Sequence, residues 1–388
     1  MRLPPLVEPA PHLDKEEKER YSRHLLLPDI GYIGQCRLKN AKVLVIGAGG
    51  LGSPALLYLA AAGVGTIGII DFDVVDESNL QRQIIHSQSD IGRNKADSAR
   101  QSIQEINRFT HVICHQQRLE PENALELIRQ YDLVLDGTDN FATRYLVNDA
   151  CVLADKPYVW GSIFRFEGQA SVFWEKAPSG LGLNYRDLYP IPPPPEHAPS
   201  CSEGGVFGVL CAAIGSIMAT ETIKLITGAG TSLLGRLMVY DALDMTYRTL
   251  PLRRAPDRKP ITQLTDYQAF CGLESQTPDA VVPQVTPQEL QKMLERGDSV
   301  QLVDVREPCE REICGIDNAI GIPQREIMNG RGLGQLDRQR TVVVYCKMGG
   351  RSRNALLAMQ EQGFKSLLNL EGGILNWIRQ VDSSQATY

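Results

Sequence analysis

Several absences narrow the field before any motif is read. None of the nine cysteines is spaced C-x-x-C with another, and their number is odd. Neither a disulfide framework nor a zinc site built on paired knuckles is therefore expected. Positive charge is not in excess: 40 Lys and Arg stand against 46 Asp and Glu, a net charge of −6. That balance argues against nucleic acid as a partner, which clustered cations would bind. Long apolar runs are missing too. The longest, Val206 to Ala219, is rich in Gly and Ala and too short to span a bilayer. The segment up to Arg20 holds no apolar signal core, so the chain reads as cytoplasmic with no membrane partner. No G-x-x-x-x-G-K-[ST] phosphate loop occurs.

What is present is an ordinary globular balance over 388 residues, 43% apolar and 22% charged. At roughly 100–200 residues per domain, two or three domains are expected. A helical lead-in over 15–40 precedes the apolar run Ala41 to Ile46, the composition of a buried parallel strand. Further runs at 66–70, 112–114 and 133–135 alternate with helical stretches at 94–107 and 121–130. Alternation of this kind predicts right-handed βαβ units in a doubly wound, Rossmann-like α/β sheet. After Pro157 the strands 158–164, 169–174 and 236–242 follow without crossover helices, so antiparallel members are expected and the sheet is mixed. Residues 251–284 read as a polar, Pro-rich linker. A second α/β unit over 285–382 shows strands at 300–305, 342–345 and 367–370 and a helix at 352–362.

The first chemical signal is Gly47-x-Gly49-x-x-Gly52 between a strand and a helix. Glycines there let the backbone approach phosphates, which the helix N-terminus favours. Asp71 closes the next strand, where a ribose-binding acid is expected. The loop alone leaves NAD and ATP open. The flanking residues lean towards nucleotidyl transfer: Arg82 and Lys95, with Asp139 after the strand 133–135, can neutralise phosphates and hold Mg²⁺. Hydride transfer needs no such set.

The stretches GAGGLGS, DFDVVDESNLQRQ, IGRNKA, DGTDNFATRYLVND and PSCSEGGVFGVL, in this order, resemble the MoeB/ThiF-type relatives of ubiquitin-activating enzymes over about residues 15–250. The resemblance implies adenylation of the C-terminal Gly-Gly carboxylate of a small ubiquitin-fold sulfur carrier protein. It implies ATP and Mg²⁺ as cofactors and a homodimer as the assembly. By the same resemblance Gly50, with Gly47, Gly49 and Gly52, cradles the nucleotide, and Asp71 holds the ribose. Arg82 and Lys95 neutralise phosphates, and Asp139 binds the metal. Ser78, Asn79, Leu80 and Asn140 line the site, and Arg23 reaches into the partner's active site. Most relatives carry two C-x-x-C pairs for structural zinc. The corresponding stretches here, around 174–182 and 250–258, hold no cysteine, so no such zinc is expected.

Two cysteines stand out. Cys201 follows the six-proline stretch 190–199 and precedes Ser202-Glu203-Gly204-Gly205. The matching family cysteine is credited with a covalent link to the activated carrier, by nucleophilic attack. Cys346 lies between an apolar strand and a helix in Cys346-Lys347-Met348-Gly349-Gly350-Arg351-Ser352, a turn whose N–H groups would surround the sulfur and favour thiolate. With Leu302 to Glu307, Ala319 to Pro323 and Leu370 to Ile374, the segment 285–382 resembles a rhodanese domain. Cys346 would then carry a persulfide supplied by a desulfurase or thiosulfate, with Arg351 adding charge. The fusion resembles the adenylyltransferase/sulfurtransferases of molybdopterin synthesis. Two rivals are an NAD-dependent oxidoreductase fused to a sulfurtransferase and a non-catalytic carrier-binding scaffold.

Overall fold

Short apolar segments, each closed by Gly or Asp, assemble the first sheet. The computed structural model describes residues 2–178, 180–193, 204–272 and 282–388. It divides into two compact units, Met1–Glu274 and Ser275–Tyr388. In the first, β1 (Lys42–Ile46), β2 (Thr66–Ile70), β3 (His111–His115), β4 (Leu133–Asp136) and β5 (Tyr158–Phe164) run parallel. Three antiparallel strands, β6 (Glu167–Phe173), β7 (Arg236–Asp241) and β8 (Thr246–Pro251), extend the sheet. The strand order is 3-2-1-4-5-6-7-8. It reverses direction between β1 and β4, the position where open α/β sheets leave a crevice beyond the strand ends. The mixed, doubly wound sheet expected from the sequence is the one found.

The apolar run read as too short for a membrane is part of a longer element. The helix Gly208–Thr227 has 20 residues and is, among the described residues, long and apolar enough to cross a bilayer. Here it is a core helix, buried along one side against β5, β6 and the helix Gly52–Ala62. Gly215 allows that approach, since a Cβ there would stand 2.5 Å from both the Leu51 carbonyl oxygen and Pro54 Cγ.

Residues of linker-like composition pack on this same unit. Tyr267 and Cys271 join its core, and the Tyr267 hydroxyl donates to Asp149 Oδ2 (2.9 Å). Ion pairs join the segments around 175–187 and 255–258. The nearly buried Arg258 donates from Nη2 to both oxygens of Glu175 (2.5 and 2.7 Å) and from Nη1 to Asp187. Asn184 Nδ2 donates to Glu175 Oε2 and the Ala255 N–H to Asp187 Oδ1, both at 2.9 Å.

The second unit is a parallel sheet of β9 (Gln284–Val285), β10 (Val300–Asp304), β11 (Ile320–Gly321), β12 (Thr341–Tyr345) and β13 (Leu367–Leu370). Its order, 11-10-12-13-9, puts β12 at the centre. Cys346 follows that strand directly.

Candidate functional site

The switch point between β1 and β4 carries the first site. Gly47 leaves β1 with φ +90°, a conformation side chains disfavour, and its N–H donates to the Ile70 carbonyl (2.9 Å). The Gly137 N–H donates to the Ile46 carbonyl (2.9 Å), which ties the loop after β4 to the end of β1. A Cβ on Gly52 would collide with the Gly47 carbonyl, so this glycine lets the helix start close on the loop. Asp71 holds the same loop from β2: Oδ2 accepts from the Ala48 N–H (2.8 Å) and Oδ1 from the Asp73 N–H (2.9 Å). Burial pushes the Asp71 carboxyl upward, and these two N–H donors oppose it. From the other side, buried His86 sets its Nε2 3.0 Å from the Ala48 carbonyl oxygen and its Nδ1 2.8 Å from Ser98 Oγ. Burial lowers its pKa, so the neutral ring is favoured, with Nε2–H as the donor to Ala48.

Around this loop stand Arg82, Lys95, Asp139 and Asn140, each lining the crevice with Gly47, Gly49, Gly50 and Asp71. Lys95 is buried and pairs with Asp73 Oδ2 (3.2 Å) at the start of the helix Lys95–Ile106. Asn94 caps that helix, accepting from the Ala96 and Asp97 N–H groups, and its Nδ2 donates to the Asp71 and Asp73 carbonyls. The lysine is thereby fixed to the segment after β2 that carries the acid. Arg82 donates from Nη1 to the Ser78 carbonyl (3.1 Å). Asn140 caps the helix Phe141–Ala154 through the Thr143 N–H (2.9 Å), and Asp139 beside it is exposed.

Other expected residues lie back from the crevice. Asn79 closes a capping box with Asp76, Ser78 donates to Asp76 Oδ1 (2.5 Å), and Leu80 follows that turn. Their place is to shape the turn that delivers Arg82. Arg23 is exposed, bonded to Ser22 Oγ (3.2 Å), and does not line this crevice. Cys201 lies outside the described residues.

The crevice also contains residues not among the expected ones: Phe72, Gln83, Thr143 and Arg144, which lie within the family-like stretches, and Gln117, Arg118 and Leu119, which lie outside them. Arg118 covers the Phe72 ring at 4.2 Å. Segment 117–119 follows β3, and the sheet order alone puts the end of that strand at the crevice. Two buried polar atoms in the wall, Gln83 Oε1 and Arg144 Nε, have no hydrogen-bond partner among the described residues. Cations, a glycine loop at a helix N-terminus and two unsatisfied polar atoms suit a nucleotide.

In the second unit Cys346 is buried. The Gly349 N–H donates to its Sγ (3.1 Å), and Ser352 Oγ lies 3.4 Å away while donating to Asn369 Oδ1 (2.7 Å). Arg351 was expected to add positive charge beside the sulfur. Its Nη1 and Nη2 hold the carboxylate of Glu310 (2.7 Å each). Burial raises the Glu310 pKa, but Arg351, the Glu307 N–H and Tyr388 outweigh this and hold it at about 2.

Comparison with known proteins agrees with the division into two units. The ThiF family matches residues 21–261, and the rhodanese-like domain matches 286–380. The probable adenylyltransferase/sulfurtransferase MoeZ of Mycobacterium tuberculosis is 61% identical over 388 residues, covering 100% of this chain and 99% of that protein. The adenylyltransferase and sulfurtransferase MOCS3 of Drosophila ananassae is 40% identical, covering 97% of this chain and 86% of its own length. Among solved structures, Escherichia coli MccB with ATP superposes with a TM-score of 0.54 at 23% identity, covering 63% of this chain and 75% of that one. PaaA gives the same TM-score and identity, covering 63% and 76%. At that identity the two structures speak for the fold alone. Neither the oxidoreductase nor the scaffold alternative is favoured by these matches. The chain belongs to the ThiF family, as an adenylyltransferase joined to a rhodanese-like sulfurtransferase domain.

Proposed function

We propose that the first unit uses ATP to adenylate the C-terminal Gly-Gly carboxylate of a ubiquitin-fold sulfur carrier, and that Cys346 supplies the sulfur that converts it to a thiocarboxylate. The observation that carries this reading is the crevice at the sheet's switch point, where Arg82, Lys95 and Arg144 meet the glycine loop, Asp71 and Asp139. The carrier carboxylate attacks the α-phosphate, the bond to the β-phosphate breaks, and pyrophosphate leaves. Both reactants are anions. Arg82 and Lys95 screen their approach and the charge that builds in the transition state. Asp71 holds the ribose while fixing Ala48, so loop and sugar are placed by one carboxylate.

Asp139 would hold Mg²⁺. Among the described residues no group of three or more His, Cys, Asp or Glu is placed to hold a metal. A single carboxylate nonetheless suits Mg²⁺, which keeps waters and phosphate oxygens as its other ligands. When bound, the ion would help pyrophosphate depart. Arg23 would act across a homodimer, entering the crevice of the second copy. The exposure of its neighbours Leu26, Leu27 and Ile33 supports such an interface. Exposed Phe164, Phe166, Phe207 and Tyr247 offer an apolar face for the body of the carrier.

Sulfur transfer follows. The terminal sulfur of a Cys346 persulfide attacks the acyl carbon and AMP leaves, either directly or after the acyl group passes through a Cys201 thioester. The resulting acyl disulfide is cleaved by a thiol reductant. Two electrons enter, the carrier leaves as thiocarboxylate, and Cys346 returns to thiolate. Desulfurase or thiosulfate would reload it. Molybdopterin-type or thiamine-type sulfur delivery, in the cytoplasm, is the setting this reading assigns.

The test is carrier-dependent exchange of pyrophosphate into ATP. Exchange in wild type, its loss in Asp139→Ala and its survival in Cys346→Ala are expected. No exchange with any Gly-Gly carrier offered would sink the adenylation reading.

A further inference from the structure

Arg306 has no exposed surface. Its Nε and Nη2 donate to the Asp304 carboxylate at the end of β10 (2.9 and 2.6 Å), and Nη2 also donates to the Cys314 carbonyl (2.8 Å). Its Nη1 donates to the hydroxyl of Tyr388 (3.0 Å), which in turn donates to Glu310 Oε1 (2.7 Å). Glu310 is the carboxylate that grips Arg351. On its other side, the Tyr388 ring lies 4.5 Å from the Lys347 ammonium. One side chain therefore reaches both ends of the Cys346 loop, directly at Lys347 and through Glu310 at Arg351.

The residues that bring Tyr388 here lie beyond the segment matched to the rhodanese-like domain, 286–380. They are fastened at Gln385, whose Oε1 accepts from the Gly315 N–H (2.8 Å). The hydroxyl has a defined polarity, accepting from a buried guanidinium and donating to a carboxylate. In a low-dielectric site that arrangement locks the rotamers of both neighbours. A loop whose far end is locked keeps its N–H donors aimed at the sulfur without being reordered at each turnover.

We propose that Tyr388 is a positioning residue for sulfur transfer, holding Glu310, and through it Arg351 and the loop that aims the Gly349 N–H at Cys346 Sγ. The role rests on Cys346 being the sulfur-bearing residue.

The full chain is assayed with thiosulfate as donor and cyanide as acceptor. The Cys346 thiolate takes the sulfane sulfur as the S–S bond breaks and sulfite leaves. Cyanide then removes that sulfur as thiocyanate and restores the thiolate, with no net electrons consumed. Tyr388→Phe keeps the ring and removes only the hydroxyl. It is expected to lower kcat roughly tenfold, with the KM for thiosulfate within about twofold of wild type. Glu310→Gln lowers kcat further, and the double variant is no worse than Glu310→Gln alone, because Tyr388 acts through that carboxylate. Alkylation of Cys346 by iodoacetamide, read by peptide mass, reports on the loop apart from turnover and speeds up several-fold in Tyr388→Phe. Unchanged kcat and alkylation in Tyr388→Phe, or losses that multiply in the double variant, overturn the proposal. Turnover surviving in Cys346→Ala overturns the role of Cys346 itself, which the tyrosine variants leave untouched.

Discussion

Replacing Arg258 by Met tests how buried ion pairs close the first unit. The guanidinium side chain is 5% exposed and lies between Glu175, 18% exposed, and Asp187, fully buried. Met keeps the apolar stem packed but removes two N–H bonds to Glu175 and one to Asp187. Breaking a buried pair from one side costs about 3–5 kcal/mol, because the remaining charge stays buried. Here the carboxylates keep other donors. Asn184 Nδ2 remains on Glu175, and the N–H groups of Asn184 and Ala255 remain on Asp187. The low end, about 3 kcal/mol, is therefore expected. For a unit of this size that lowers Tm by roughly 6 °C. Scanning calorimetry of the full chain, following the transition of the first unit, measures it. Adding Glu175→Gln and Asp187→Asn to Arg258→Met should recover most of the loss, since no unpaired charge is left. Excess chelator should leave the wild-type midpoint unchanged. A shift below about 1 °C in Arg258→Met, or a chelator-induced drop in wild type, refutes the reasoning.

Two further outcomes follow from the sites. A Cβ at Gly50 would stand 2.8 Å from Cys211 Sγ on the buried helix Gly208–Thr227, so Gly50→Ala should weaken nucleotide binding roughly tenfold through a displaced loop. Cys211→Ala in the same chain should restore part of it, and equal nucleotide titrations for Gly50→Ala and wild type would count against the crevice. The pH dependence comes from Glu310, whose pKa is depressed from the ordinary 4.5 to about 2 in the folded chain. Its contribution to stability is complete above pH 4.5 and is lost as pH falls towards 2. Urea unfolding of the second unit over that range should show this loss, and Glu310→Gln should flatten it.

The two sites were legible in the sequence to different depths. Gly47, Gly52 and Asp71 could be read because their chemistry depends on local spacing between one strand, one turn and the next strand. Lys95 and Asp139 could be placed because each opens a helix or follows a strand at the same sheet edge. Gln117 and Arg118 could not, since they enter the crevice from a segment without a motif, although the strand order would have pointed to 117–119. The helix Gly208–Thr227 read only as an apolar run because it is apolar almost all round, with no amphipathic period to mark it. Side-chain pairings were out of reach altogether. Glu310 and Tyr388 are 78 positions apart, and Arg258 and Glu175 are 83. Nothing in a single sequence couples positions so distant. For the same reason the pairing of Arg351 with Glu310 could not be read beside its charge.

The central claim is that one chain both activates the carrier and sulfurates it. The intact mass of a Gly-Gly carrier, after incubation with the full-length protein, ATP, Mg²⁺, thiosulfate and a thiol reductant, tests it directly. The account predicts a mass increase equal to exchange of one carboxylate oxygen for sulfur in wild type, with no increase in Asp139→Ala or Cys346→Ala. Full conversion by Cys346→Ala, or an unchanged carrier mass with the wild-type protein, would contradict it.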